Sequence, residues 1–456
     1  MEDLKNFNKI FFIGIGGISM SGLAMLLKSQ GKTVLGSDIV KSNITKKLKS
    51  IGIKVFYKHR ASNVSGCDLV IYSGAIQKDN PQIKYAQSKN IPVIERSELL
   101  ALVSKKYKNV IAISGTHGKT TTTAILSYIF IISGLNPTVH IGGEFDYING
   151  NILNGGNEYF ITEACEFRDS FLYLAPKTSI ITNIEPEHLD YFKTFEHEKQ
   201  SFNKFVLNTQ GNTFIQSNYK RLIKPNTNLH TYGFNASCGV WAKNLVLGSD
   251  GKYSFDCYKG KTFIGNFKLN IFGRHNVSNA LAVISVCLNY NIDYKVIYLG
   301  LKTFNNAHRR FEFIGSYKDC QVISDYAHHP TEILNSIKTC KEVFNKKVIC
   351  IFQPHTYSRT KTLLDSFSKC FNGLDCLYIL KTYSARESYD YLGSADSLKE
   401  SILKTNPNFL VKGTYTKKEL LKELKKVDIS NCVLLFLGAG DIEKLPYKLI
   451  KKNNRY

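Results

Sequence analysis

The sequence predicts an α/β protein assembled from parallel-sheet units. Three observations lead there. Short apolar runs end repeatedly in glycine-rich or polar turns, helical stretches follow those turns, and the residues able to carry chemistry fall directly after the runs. At 456 residues the chain exceeds one ordinary core and calls for two or three domains. An apolar content of 43% with 21% charged residues belongs to a globular protein. The first apolar run, Ile10 to Ile15, feeds straight into a glycine loop, so no secretory signal is read. The longest, Ala124 to Leu135, is interrupted by Ser127, Tyr128 and Ser133. It is too short to span a bilayer and is expected to be a buried helix.

Eleven cysteines with no Cys-x-x-Cys pair argue against a disulfide framework and a zinc site, and for a reducing, cytoplasmic setting. The net charge of +23 is spread along the whole chain without an Arg- and aromatic-rich module. Neither a nucleic-acid partner nor membrane insertion is expected, and much of the excess reads as solvated surface.

The first unit, residues 1–108, opens with a strand at Lys9 to Ile13 and then Gly14-Ile15-Gly16-Gly17-Ile18-Ser19. A helix from about Ser21 to Gln30 and a second strand, Lys32 to Leu35, lead to Asp38. This is the layout of a Rossmann βαβ unit, with a glycine turn under a diphosphate and an acid after the second strand. Ser19 stands where the fingerprint has its third glycine, and NAD, FAD or a nucleotide sugar would each suit the turn. A further strand, Asp68 to Tyr72, ends at Ser73-Gly74, either a second ligand-facing turn or a plain loop.

The second unit, residues 109–307, opens on Val110 to Ile113, read as a strand buried on both faces, and continues Ser114-Gly115-Thr116-His117-Gly118-Lys119-Thr120-Thr121. Glycines let backbone N–H groups approach a ligand, and a helix from Lys119 to Ser133 points its positive end at the loop. Lys119 would reach β- and γ-phosphates and Thr120 a Mg²⁺ ion. Ile113 occupies a place where the strict Walker spacing has glycine. Strands at Glu158 to Thr162 and Thr178 to Thr182 end in Glu163-Ala-Cys-Glu166 and Asn183-Ile-Glu-Pro-Glu-His188. Such carboxylate and imidazole groups beside a phosphate loop are what a metal site needs. Lys252 to Tyr258 and Lys261 to Ile271 alternate in polarity and predict a small antiparallel sheet. Asn276, in Gly273-Arg-His-Asn276, caps the next helix or contacts a base; physics alone favours the cap.

Asn305 to Glu312, with adjacent Arg309 and Arg310, reads as a junction, and a third α/β pattern fills residues 308–456. Its strands around Val322, Lys347 to Phe352, Asp375 to Leu380 and Cys432 to Leu437 precede Asp325-Tyr-Ala-His328-His-Pro-Thr-Glu, Gln353-Pro-His-Thr-Tyr-Ser-Arg359 and Gly438-Ala-Gly-Asp. Three polar clusters on the ligand edge of one open sheet predict a site. The Lys-rich tail from Lys448 reads as frayed surface.

Taken in order, these motifs resemble the Mur ligases nearly end to end, and the His-His-Pro and Gln-Pro-His segments resemble the alanine-adding branch. Gly115-Thr-x-Gly-Lys-Thr is similar to that family's variant phosphate loop, which accounts for Ile113. The resemblance implies three domains: an N-terminal Rossmann-like UDP-binding domain, a central P-loop ATPase-type domain with a parallel and a small antiparallel sheet, and a C-terminal Rossmann-like domain. It implies that ATP activates the carboxylate of UDP-N-acetylmuramate as an acyl phosphate, which L-alanine then attacks. By position Gly14, Gly16, Gly17, Ile18, Ser19, Asp38 and Ser73 would hold the UDP-sugar. Gly115, Thr116, His117, Gly118, Lys119, Thr120, Thr121, Asn276, Arg310 and Asp325 would hold ATP. Thr120 and Glu163 would bind one Mg²⁺ and His188 a second. Lys119, His188, His328 and Arg359 would be catalytic, with His328 and Arg359 facing alanine. Competing readings are a murein peptide ligase that adds a tripeptide, an NAD-dependent oxidoreductase built on the first glycine loop, and an ATP-dependent nucleic-acid-binding protein.

Overall fold

The computed structural model describes residues 4–225 and 228–453. Backbone packing groups them into two compact units. The first comprises residues up to Ile184, Glu198–Gly233 and Ala282–Gly300; the second comprises Glu185–His197, Phe234–Leu281 and the chain from Leu301 onward.

The first unit begins with five parallel strands: β1 (Lys9–Ile13), β2 (Thr33–Ser37), β3 (Lys54–Phe56), β4 (Leu69–Tyr72) and β5 (Val93–Glu95). Their spatial order is β3-β2-β1-β4-β5. The order reverses between β1 and β4, which opens a crevice at their carboxyl ends. Ile10, Phe11, Phe12 and Ile13 are all solvent-inaccessible, which is why this strand reads as an unbroken apolar run.

Seven further strands of this unit are β6 (Asn109–Ser114), β7 (Thr138–Phe145), β8 (Gly150–Leu153), β9 (Tyr159–Glu163), β10 (Thr178–Ile181), β11 (Asn212–Gln216) and β12 (Leu229–Gly233). They run β12-β11-β10-β6-β9-β7-β8, all parallel except the β7–β8 hairpin. β6 is thus central, and the loop after it opens between β9 and β10. The apolar stretch from Ala124 is indeed a buried helix, Lys119–Ile132, ended at Gly134 with φ +78°.

The second unit contains an antiparallel meander, β13 (Val240–Leu247), β14 (Lys252–Lys259) and β15 (Thr262–Phe272), the last two close to the expected strands. Its larger sheet holds β16 (Glu312–Tyr317), β17 (Cys320–Asp325), β18 (Lys347–Phe352), β19 (Cys376–Leu380), β20 (Val411–Tyr415) and β21 (Cys432–Leu437) in the order β16-β17-β21-β18-β19-β20. Only β16 is antiparallel. Side chains alternate between two cores: Val348, Cys350 and Phe352 face one, while Ile349 and Ile351 face the other.

Three expectations are corrected. The first helix begins at Ile18 rather than Ser21, so Ile18 and Ser19 belong to its opening turn. Asn276 is the second residue of helix His275–Asn289, not its cap: its amide donates to Phe272 O at 2.7 Å and accepts from Asn279 at 2.9 Å. Lys448 lies inside a terminal helix, Lys444–Asn453, whose Leu445 and Leu449 are buried in the core; the last three residues lie outside the described chain.

Candidate active site

The loop after β6 needs both of its glycines. Gly115 has φ +124° and Gly118 φ +80°, and a Cβ on Gly115 would lie 2.2 Å from Thr182 Oγ1. The loop is gripped from the end of β10. Thr116 and His117 donate their backbone N–H groups to the Asn183 carbonyl (3.3 Å) and side chain (2.8 Å), while Thr182 Oγ1 donates to His117 O at 2.6 Å. The first turn of Lys119–Ile132 therefore presents the anion-facing N–H groups. Lys119 folds back over the loop: its ammonium donates to the carbonyls of Gly115 and Thr116 and pairs with Glu166 at 3.0 Å. Burial works against that charge, but Glu166, Cys165 and Glu163 outweigh it and raise the lysine pKa above its usual value. An incoming polyphosphate would compete with Glu166 for this cation.

Thr120 and Glu163 are brought to one place by a glycine pair in β7. A Cβ on Gly143 would sit 3.2 Å from the Thr120 methyl, and one on Gly142 would sit 2.5 Å from Glu163 Oε2. The Gly142 N–H donates to Glu163 Oε1 at 2.6 Å. A hydroxyl and an oriented carboxylate beside a phosphate loop suit Mg²⁺, a hard cation that prefers oxygen donors. Thr121 is buried in the same helical turn.

At the β1–β4 crevice, Gly14 takes φ +80° and approaches Ser73, whose Cβ would lie 3.4 Å from a Cβ there. Asp38 accepts from Gly16 N at 2.8 Å and Val40 N at 2.9 Å, so it shapes the glycine turn directly. Gly17 immediately precedes the helix. Asn151 of β8 donates to Ile18 O at 2.7 Å, and Ser19 Oγ bonds His140 Nε2 at 3.0 Å. The His140 tautomer follows from its neighbours. Thr162 already donates its hydroxyl to Glu163 O, so His140 Nδ1 carries the proton toward Thr162 and Nε2 accepts from Ser19. Burial lowers the His140 pKa to about 3.

The second unit carries the histidine-rich part. His188 takes a left-handed conformation (φ +53°) ahead of the short helix Leu189–Phe192. Glu187 beside it is buried and meets Arg359 Nε at 2.8 Å, His329 Nε2 at 3.7 Å and His188 Nδ1 at 3.8 Å. Burial alone would raise the Glu187 pKa; Arg359 and the imidazoles bring it well below the usual carboxylate range. His328 donates from Nδ1 to Tyr326 O at 3.0 Å, which leaves Nε2 as a lone-pair acceptor. Burial lowers its pKa to about 3, so the ring is neutral. Arg310 lies over the Tyr326 ring at 5.1 Å and its charge acts on Asp325, yet burial still raises that carboxyl to about 6. Asp325 accepts from Ser336 Oγ at 2.9 Å and Ala327 N at 3.1 Å. Arg309, by contrast, is tied to Glu443 and Gly438 O, both at 2.7 Å, and reads as structural.

Three family models match the chain in sequence. They are described as Mur ligase family, catalytic domain (residues 9–108), Mur ligase middle domain (113–287) and Mur ligase, glutamate ligase domain (309–440). The chain belongs to the Mur ligase family. This Mur ligase is 42% identical over 449 residues to the UDP-N-acetylmuramate–L-alanine ligase of Clostridium beijerinckii, with 97% of each chain covered. It is 41% identical over 459 residues to the ligase of the same name from Caldanaerobacter subterraneus, with 99% of each covered. Among solved structures, the UDP-N-acetylmuramate–alanine ligase of Thermotoga maritima matches with a TM-score of 0.83 and 30% identity, covering 98% of this chain and 99% of that one. A murein peptide ligase from Psychrobacter arcticus matches with a TM-score of 0.75 over 98% and 99% of the two chains; at 21% identity it speaks to the fold alone. The three-domain α/β fold expected from the sequence is thereby established.

In the first unit the structure of this Mur ligase gathers Gly115, Thr116, His117, Gly118, Lys119, Thr120 and Glu163 around one loop, and Gly14, Gly16, Ser19, Asp38 and Ser73 around another. In the second it gathers His188, His328 and Arg359. Glu166 and Glu187 lie within the sequence motifs, but nothing in the sequence alone assigns them a task. The available signal was their spacing, three residues after Glu163 and directly before His188.

Proposed function

We propose that this Mur ligase joins L-alanine to UDP-N-acetylmuramate with cleavage of ATP to ADP and phosphate. The observation that carries the reading is about 40% identity, over nearly the whole chain, to relatives that bear this activity in their names. A carboxylate oxygen of the sugar nucleotide attacks the γ-phosphorus, ADP leaves, and the alanine amine displaces phosphate from the acyl carbon. One carboxyl oxygen therefore ends in inorganic phosphate.

The chemical obstacle is the approach of two anions, which calls for fixed cations and aligned N–H dipoles. Lys119, released from Glu166 by the incoming phosphates, neutralises charge on the transferring phosphoryl group. The first helical turn after Gly118 holds the polyphosphate, with Thr116 and His117 fixing the loop through Asn183. Asn276, Arg310 and Asp325 serve the rest of the nucleotide; the residues around Gly14, Gly16, Gly17, Ile18, Ser19, Asp38 and Ser73 serve the UDP-sugar. Thr120 and Glu163 fit one Mg²⁺, and His188 is assigned to a second. Mg²⁺ bound there would supply charge screening between the polyphosphate and the carboxylate. Arg359 takes the alanine carboxylate. With its pKa near 3, His328 is a poor base but a good acceptor, so its Nε2 orients the amine rather than deprotonating an ammonium.

We place domain boundaries at 1–108, 109–307 and 308–456; each of the three family matches, 9–108, 113–287 and 309–440, falls inside one of these ranges, which supports the division. A cytoplasmic site of action suits all of its substrates, and among the described residues no helix is long and apolar enough to cross a membrane. The test uses UDP-N-acetylmuramate labelled with oxygen-18 in its carboxyl group. Label should appear in phosphate only with ATP, Mg²⁺ and L-alanine present, and a tripeptide should not replace alanine. Unlabelled phosphate would refute the acyl-phosphate route.

A further inference from the structure

Arg359 has five N–H donors, and the structure accounts for three of them. Nε donates to Glu187 Oε1 at 2.8 Å, while Nη1 donates to His355 Nδ1 at 2.9 Å and His355 O at 3.1 Å. Nη2 has no protein partner among the described residues. Since the guanidinium must donate, His355 Nδ1 accepts and the ring is neutral; burial, first, and then the Arg359 charge lower its pKa to about 4. Stacking on Tyr383, with ring centroids 5.5 Å apart, holds that imidazole in place.

The backbone beneath Arg359 is held with similar care. Thr356, a β-branched residue, takes φ +67°, an outlier for its type. Its hydroxyl caps the Arg359 N–H at 3.4 Å, and Glu387 accepts the Ser358 N–H at 2.9 Å. Glu187 is the remaining part: a buried carboxylate on the inner edge of the guanidinium, 172 residues away in sequence. Its negative charge opposes anion binding at Arg359, so attraction for the substrate is not its use. What it supplies is geometry. A free arginine loses rotamer entropy when it is fixed, and a clamp on Nε removes most of that freedom before the ligand arrives.

We infer that Glu187 is a positioning residue for the amino-acid substrate: it holds Arg359 by its inner edge and leaves Nη2, which has no partner among the described residues, to the α-carboxylate. This rests on the assignment of Arg359 to alanine made above. The prediction is a split among Michaelis constants. Glu187→Ala should raise the KM for L-alanine about tenfold or more, with those for ATP, UDP-N-acetylmuramate and Mg²⁺ changed less than about threefold. Glu187→Gln, which keeps an acceptor oxygen while losing the charge, should recover most of the loss. In an Arg359→Ala background, Glu187→Ala should add nothing further.

Removing Glu187 strands a buried arginine, so each variant's thermal unfolding is measured alongside, and Glu187→Gln carries the test if Glu187→Ala does not fold. In that case, Glu187→Gln must leave the KM for alanine within about threefold of wild type. A uniform rise in every KM, a selective shift in the Mg²⁺ requirement, or a full additive effect in the Arg359→Ala background would each overturn the inference. Wild-type turnover with L-alanine separates the two claims. Its absence defeats the functional reading, whereas its presence with any of those three results defeats only the role of Glu187.

Discussion

Lys119 is a cation with a counterion already in place. In the structure its ammonium is the counterion of Glu166, whose side chain is 1% exposed. Removing the partner of a buried ion typically costs about 3–5 kcal/mol, because the surviving charge keeps its desolvation penalty. Lys119→Ala should therefore lower the melting temperature as well as abolish turnover, by about 10³-fold or more if a main charge stabiliser is lost. Pairing it with Glu166→Gln should restore much of the melting temperature and none of the activity. If the double variant stays as unstable as the single one, Glu166 is not the stranded charge. Arg310 and Asp325 show a related tension, with a buried carboxyl raised to about 6 despite the nearby guanidinium.

The elements matter by where they stop. β6 ends at Ser114, and the chain turns through Gly115 at a dihedral open to glycine, against Thr182 and Asn183 at the end of β10. Gly115→Ala would force its methyl group to within 2.2 Å of Thr182 Oγ1 and 2.9 Å of Asn183 O, the groups that hold the His117 carbonyl and the Thr116 N–H. Strain of about 1–3 kcal/mol is expected from that crowding. Nucleotide affinity should fall by about tenfold or more, measured by calorimetry with ADP and Mg²⁺. Unchanged affinity would mean that the bracket does not shape the phosphate site. β7 has a parallel function: Gly142 and Gly143 make room for Glu163 and Thr120, while His140 and Asn151 of the hairpin secure the first turn of Ile18–Ser29. Ile18 and Ser19, expected in a loop, are helical because the hairpin fixes the turn from outside.

For the molecule as a whole, buried neutral imidazoles set the acid limit. Burial lowers the pKa of His140 and His328 to about 3 and that of His355 to about 4, against 6.5 for the free side chain. Between pH 6.5 and 4 the unfolded chain takes up protons that the folded chain refuses, so stability falls as pH drops through that window. Asp325, raised from 3.8 to about 6, acts in the opposite sense but accounts for one proton against four, since burial also lowers His275 to about 4. A net loss on the order of a few kcal/mol is expected by pH 4.5. Urea midpoints measured from pH 7.5 to 4.5 should fall, and His140→Asn should flatten the slope; a pH-independent midpoint would contradict the burial of these rings. Much of this molecule is legible along the chain because strand burial and turn chemistry are local. Val110 to Ile113, Lys347 to Phe352 and Cys432 to Leu437 are continuous apolar runs, and the glycines after them mark where the backbone must turn. Short strands such as Lys54–Phe56 and Gly150–Leu153 leave no such period and are not legible in the sequence. Pairings over long separations are also invisible in one dimension, since a glutamate destined for a buried clamp looks like any solvated glutamate. Folding alone brought Glu166 under Lys119, Glu187 behind Arg359 and His140 against Ser19, because a charge or an imidazole acquires its partner and its pKa only when packing removes the water around it.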